Sequence, residues 1–225
     1  MASGEAIDID VLDTRLTDDG IEWYCEWTKG GDPNRRLLVD GNTPLDQFLA
    51  TLKSRVGGNR IGVLSILAHG WGEWEYQDKE KKRPKTIHGG FGVEFCKDTI
   101  PGIEPGVTLQ TVDRFKELYG LFSSREVGIK LKGCEAAAEY RFRVAPNSSE
   151  FKTGFGKKLC GRLATVTGAS VMASDHLQDV KIDDTARTYR WANDIRTIKS
   201  CVSFGEWEGS VWIFRPDGTI DKIKR

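Results

Sequence analysis

The stretch Ile61-Gly-Val-Leu-Ser-Ile-Leu-Ala-His69-Gly70 decides how this chain is read. Its first part, residues 61–68, is almost continuously apolar and of strand length, the pattern of a strand covered on both faces, as in parallel sheets. A histidine and a glycine end it abruptly. Upstream, Ile7 to Leu12 alternates apolar and acidic residues as a half-buried strand does, and Asp19-Gly20 leads into Ile21-Glu-Trp-Tyr-Cys-Glu-Trp27. That pattern predicts a β-hairpin, or two strands joined by a short loop. Asn42-Thr43-Pro44 then opens a helix, with Pro44 in the first turn. Leu45, Phe48, Leu49, Leu52 and Val56 make its apolar stripe, and Gly57-Gly58 ends it.

Downstream, the segment from Gln77 to Lys85 carries five positive and two negative charges and no apolar side chain. It is expected to be a solvated loop; the sharper reading is a flap or protease-sensitive segment beside a site. Gly89-Gly90 marks a turn, and Phe91 to Phe95 a short strand. The second half alternates regularly. Thr108 to Phe122 carries Leu109, Val112, Phe115, Leu118 and Phe122 on one helical face, and Val127 to Leu131 is a strand. Gly154 to Thr167 is a helix with Phe155, Leu159, Leu163 and Val166 inward, followed by a buried strand from Ala169 to Ala173. Cys201 to Phe204 and Ser210 to Phe214 complete the strands, with Pro216-Asp217-Gly218 as a closing turn. Helix–strand alternation requires crossover connections, so the predicted fold is α/β: a three-layer α/β/α sandwich with a mainly parallel sheet.

The chain has 225 residues, 33 basic and 33 acidic side chains, and 39% hydrophobic residues, enough for one substantial core. With no internal repeat and no Ser/Gly/Pro linker, one domain over 1–225 is expected. Balanced charge argues against a nucleic-acid partner held by phosphate contacts. No apolar run approaches the ~20 residues of a membrane helix, and Met1-Ala-Ser-Gly-Glu-Ala-Ile-Asp8 does not look like a secretory signal. The five cysteines at 25, 96, 134, 160 and 201 include no Cys-x-x-Cys pair. They predict reduced thiols in a cytoplasmic protein, with neither a disulfide framework nor a metal site.

In open α/β sheets, active sites gather at the carboxyl ends of strands. Reading those ends gives His69-Gly70, Gly133-Cys134 and Ser174-Asp175-His176. An imidazole and a thiol at the ends of separate parallel strands can face each other across the sheet top, with backbone N–H groups nearby for an oxyanion. Cys134 taken alone has a bland reading too, since free cysteine is among the most buried residue types. Cys160 and Cys25 keep that reading. His88, in Ile87-His-Gly-Gly90, is the rival base, and His176 lines the cleft.

At these residues the chain resembles the caspase-like (clan CD) cysteine peptidases, whose signature is an apolar strand ending in His-Gly and a second ending in Gly-Cys or Ala-Cys. Gly133-Cys-Glu-Ala-Ala137, Gly154-Phe-Gly156, Leu163-Ala164 and Thr167-Gly-Ala-Ser-Val-Met-Ala-Ser174 look like the continuation seen in bacterial caspase-like, CHAT-type domains. The resemblance covers roughly residues 60–215. It implies a caspase-like fold and an endopeptidase acting on proteins or peptides, with no metal or organic cofactor and with room for a regulatory or activating protein partner. By the same resemblance, Cys134 attacks the scissile carbonyl as thiolate, and His69 protonates the leaving amine. The N–H groups of Gly70 and Cys134 hold the oxyanion. Trp71, Lys132 and Asp175 become substrate-binding candidates. Lys132 suits an acidic or small residue before the cleaved bond and Asp175 a basic one, and the two stay open against each other.

Two other readings compete. Leu67-Ala-His-Gly-Trp-Gly72 also resembles the oxyanion segment of serine α/β-hydrolases, for which Gly168-Ala-Ser170-Val-Met172 would be an imperfect nucleophile elbow and His176 the only later histidine. Alternatively, a caspase-like scaffold without catalysis would serve as a protein-binding domain, its seven tryptophans supplying an interface.

Overall fold

The computed structural model describes residues 4–16, 23–25, 27, 35–70, 74–78, 83–87, 92–97, 106–124, 126–139, 141–143, 149, 151–176, 178, 180–185, 187–191 and 194–223. Its centre is a sheet of seven strands: β1 (Ala6–Asp13), β2 (Arg36–Val39), β3 (Arg60–Leu67), β4 (Ile129–Lys132), β5 (Val171–Ser174), β6 (Val211–Phe214) and β7 (Ile220–Ile223). They lie in the order β7-β6-β5-β4-β3-β1-β2. Strands β2, β1, β3, β4 and β5 run parallel, whereas β6 joins β5 antiparallel and β7 joins β6 antiparallel at one edge. The protein is therefore α/β with a mostly parallel sheet, as the buried character of residues 61–68 predicts.

Among the described residues, two α-helices and a seven-residue 3-10 helix pack on the sheet, and a short 3-10 turn, Thr14–Leu16, follows β1. Helix α1 (Leu45–Val56) starts after Pro44 as N-cap and ends at Gly57, whose φ of 56° is left-handed backbone that glycine adopts without penalty. Leu45, Phe48, Leu49, Leu52 and Val56 are all buried, so the apolar stripe is the face that meets the sheet. Helix α2 (Gly156–Thr167) buries Leu159, Cys160, Leu163 and Ala164, while Phe155 and Val166 pack partly buried at the edge of the same core. Between them, Val112–Leu118 forms a 3-10 helix rather than the α-helix expected over 108–122. Leu109, Val112, Phe115 and Leu118 recur every third position, which suits three residues per turn. The bonds from Arg114 N to Thr111 O and from Tyr119 N to Lys116 O span three residues accordingly.

Strand alternation separates two apolar clusters across the sheet. Ile9, Val11, Leu64, Ile66, Ile129, Leu131, Val171 and Ala173 join the core of both helices and the 3-10 helix. On the other side, Leu12 and Leu67 pack with Leu16, Tyr24, Trp27 and Val202. Both faces are thus covered, but among the described residues both α-helices belong to the first core. The second cover comes from Trp23, Tyr24 and Trp27 and the antiparallel pair Val180–Asp183 and Cys201–Phe204.

Three expectations need correction. The strand over 7–12 does not pair as a hairpin with the described residues of 21–27: β1 pairs in parallel with β2 and β3, and Tyr24 instead bridges Val202. Burial on both faces, as β1 has with Ile9 and Leu12 at 0% exposed, favours a central position over a local hairpin. The charged segment is not simply a loop, because Trp74–Asp78 pairs antiparallel with Arg83–Ile87. Such pairing needs backbone bonds rather than apolar side chains, and charge does not oppose it; residues 79–82 lie outside the described residues. Finally, Cys25 and Cys201 form a disulfide across 176 positions, so these two are not reduced thiols. The Asp183 carboxylate lies within 4.8 Å of both sulfurs. Their mutual bond removes the thiolates a metal would need.

Leu52 is fully buried in the helical core, whereas Leu38 on β2 is 46% exposed. Leu52→Ala is expected to lower the unfolding free energy by about 2–5 kcal/mol, and Leu38→Ala by about 0.5 kcal/mol or less, read as shifts in urea denaturation midpoints.

Candidate active site

The sheet order reverses at β1: the chain moves outward to β2 on one side and inward through β3, β4 and β5 on the other. A reversal of this kind opens a crevice at the carboxyl ends of the flanking strands. His69-Gly70 leaves β3 there and Gly133-Cys134 leaves β4. The register pairs Leu67 with Lys132, so two further residues on each strand bring His69 and Cys134 to the same level. Neighbouring strands lie about 4.8 Å apart.

The apposition is close. A Cβ placed on Gly70 would collide with the carbonyl oxygen, carbonyl carbon and nitrogen of Cys134, so only glycine lets the two backbones approach. A Cβ on Gly133 would lie 3.0 Å from the Ala68 carbonyl oxygen and 3.6 Å from Gly70 N. Gly70 also pairs with Val93, and His69 with Glu94, in a short antiparallel bridge. Glu94 accepts a bond from Arg15 at 3.0 Å, and Arg15 is anchored to buried Asp13 at 2.6 and 2.8 Å. This network ties the segment after β3 to the end of β1. His69 itself is exposed.

Cys134 is half-buried, unlike Cys96 and Cys160, which are fully buried. Its Sγ lies 3.4 Å from Gln178 N and 3.6 Å from Gln178 O. Burial pushes the thiol above its ordinary value. The Gln178 N–H opposes this, the Glu135 charge adds to it, and the N–H groups of Gly70 and Cys134 itself pull it down again. One backbone N–H, that of Gln178, thus bonds the sulfur, and those of Gly70 and Cys134 also favour its ionised form, a setting that helps protein solvate a thiolate. Cys160, by contrast, is an inert core thiol raised by burial alone.

Glu135, directly after the sulfur, has a φ of 51°, outside the usual range for a non-glycine residue. Its N–H donates to His176 O at 2.8 Å, and Ala137 N donates to Ser174 O at 2.9 Å, so the turn after Cys134 runs alongside the end of β5. The Glu135 side chain is buried, and its Oε2 has no hydrogen-bond partner among the described residues. Burial, with the Asp175 charge second, pushes its carboxyl up to about 7. Gly156, opening α2, presses on the backbone of residues 136–138 and braces this turn.

The substrate-binding candidates separate. Lys132 donates to Tyr24 Oη at 3.2 Å and lies over the rings of Tyr24 and Phe204, at 5.3 and 5.5 Å from their centroids. Asp175 accepts from Ser210 N and Trp212 Nε1, each at 3.0 Å, beside Glu135. Trp71 and the rival base His88 lie outside the described residues. Ser170 precedes β5 and His176 follows it, so the four-residue strand keeps that pair roughly 13 Å or more apart. Nothing in the sequence pattern marks Glu135 or Gln178, because their roles depend on a turn conformation and a loop that periodicity does not encode.

Compared with known protein families, curated proteins and solved structures, the chain matches none of them.

Two outcomes test that geometry. Gly70→Ala should lower the melting temperature, at a cost of about 1–3 kcal/mol, and change the alkylation rate of Cys134, because the collision is with backbone that cannot yield cheaply. Glu135→Gln removes a charge that raises the thiol. The midpoint of Cys134 alkylation by iodoacetamide against pH should move down by about half to one unit.

Proposed function

We propose that this chain is a cysteine endopeptidase of the caspase-like kind, with Cys134 as nucleophile and His69 as general acid and base. What carries the reading is the contact of Gly70 with the Cys134 backbone at the carboxyl ends of two adjacent parallel strands. That contact sets a half-buried sulfur among backbone donors, one strand away from an imidazole. In the proposed reaction His69 takes the thiol proton and the sulfur attacks the substrate carbonyl carbon. The carbonyl oxygen becomes an oxyanion facing the N–H groups of Gly70 and Cys134, and the imidazolium returns its proton to the leaving amine. Water then releases the acyl group from sulfur, with His69 as base.

The net upward push on the Cys134 thiol means that this pairing would have to form thiolate through the imidazole rather than hold it at rest. On this reading the fold is a caspase-like three-layer sandwich whose cover opposite the helices includes strands. The serine-hydrolase alternative is less supported, since Ser170 and His176 stand at opposite ends of β5. No described helix is long and apolar enough to cross a membrane. A cytoplasmic setting belongs to the same proposal, and the Cys25–Cys201 disulfide counts against it.

The test is labelling and cleavage on the purified chain. With a low dose of iodoacetamide near neutral pH, modification is expected first at Cys134, with Cys96 and Cys160 protected. Cleavage of a positional-scanning peptide library should fall at least about a thousandfold in Cys134→Ala and in His69→Ala. Labelling at serine instead would support the hydrolase. Folded protein that cleaves nothing would support a binding scaffold.

A further inference from the structure

Lys132 and Asp175 make opposite predictions about the substrate charge this site accepts, and their surroundings separate them. The Lys132 ammonium is engaged by the Tyr24 hydroxyl and faces two aromatic rings. Cation–π contact and a hydroxyl satisfy much of what an acidic side chain would otherwise supply. Asp175 is held by two donors, Ser210 N and Trp212 Nε1, which fix its direction. Next to it stands Glu135, 9% exposed, with Oε2 unpartnered among the described residues. The influences on its titration are burial and a second negative charge. A buried carboxyl beside another carboxylate is costly when ionised unless a cation arrives.

We propose that Glu135 and Asp175 together form an anionic subsite that takes the guanidinium or ammonium group of the substrate residue whose carbonyl Cys134 attacks. This rests on the peptidase reading above and names its substrate class: peptides cut after arginine or lysine. Three observations place the subsite. Glu135 is the residue bonded to Cys134. The bonds from Glu135 N to His176 O and from Ala137 N to Ser174 O align its turn with the end of β5, where Asp175 sits. The left-handed backbone at Glu135, an unfavourable conformation for a residue with a Cβ, is kept at the residue that carries this carboxyl. Arginine's planar fork can bond both carboxylates at once, so it should be preferred over lysine.

The experiment compares three peptides of one sequence that carry arginine, citrulline or glutamate at the position before the cut. Citrulline has nearly the shape of arginine and no charge. The kcat/KM ratio of arginine to citrulline is expected to be about tenfold or more, with glutamate poorest. In Glu135→Gln that ratio should collapse toward unity, and in Asp175→Asn it should fall in the same direction. Because it is a ratio measured on one preparation, it does not depend on how much of a variant is folded. An unchanged ratio in Glu135→Gln, or a parent enzyme cutting citrulline or glutamate peptides as well as arginine ones, overturns the proposal and leaves the peptidase reading standing. If calcium and chelator together show that both variants lose a metal dependence common to all three peptides, the carboxylates hold a cation other than the substrate's, and the proposal falls. No cleavage of any library peptide, or cleavage that survives Cys134→Ala, overturns the peptidase reading and this subsite with it.

Discussion

The contact of Gly70 with the backbone of Cys134 is the constraint around which the candidate site is arranged. Two parallel strands in register deliver their last residues to one level, but ordinary side chains would hold the emerging segments apart. With no Cβ at Gly70 the segments close until backbone meets backbone, and the N–H groups of Gly70 and Cys134 then favour the ionised form of one sulfur. Everything else near the site stabilises that approach. Arg15 draws the Glu94 bridge against the end of β1, and Gly156 lets α2 butt against the turn that follows Cys134. The same logic accounts for the core. The apolar residues of α1, α2 and the 3-10 helix hold β3 and β4 at the relative height on which the contact depends.

Local periodicity was the most legible part of the sequence. Helices α1 and α2 fall within two residues of their expected spans, because their stripes and flanking glycines are encoded within a few turns. Strands β3, β4 and β5 were legible as short buried runs. What escaped was partner choice. The Asp19-Gly20 signal pointed to a neighbour in sequence, whereas β1 is stabilised by burial on both faces between β2 and β3. The disulfide escaped for the same reason, since nothing local joins Cys25 to Cys201. The 3-10 helix was half-visible: an apolar residue every third position was present, but residues three apart also share a face of an α-helix. In the site, His69, Gly70 and Cys134 could be picked out because strand ends are visible in sequence. Glu135 and Gln178 could not, since one depends on a left-handed backbone and the other on a loop folding back over the sulfur.

Charge around the sulfur has two opposing requirements, and their balance gives the site its character. A thiolate is favoured by donors and cations and disfavoured by burial and neighbouring carboxylates. The backbone supplies the donors; Glu135, one residue away, supplies the opposing charge. A carboxyl at this place would be a defect in a site that kept its nucleophile ionised at rest. It makes sense where the negative charge has another task. If a substrate cation neutralises Glu135, the charge that raises the Cys134 thiol weakens in the same event, so binding and activation are coupled through one carboxyl. Substrates lacking that cation would leave the thiol protonated more of the time even when they bind. On the proposed reading, selectivity would then be expressed in kcat as well as in KM, because the charge that recognises the substrate also sets the ionisation of the group that attacks it.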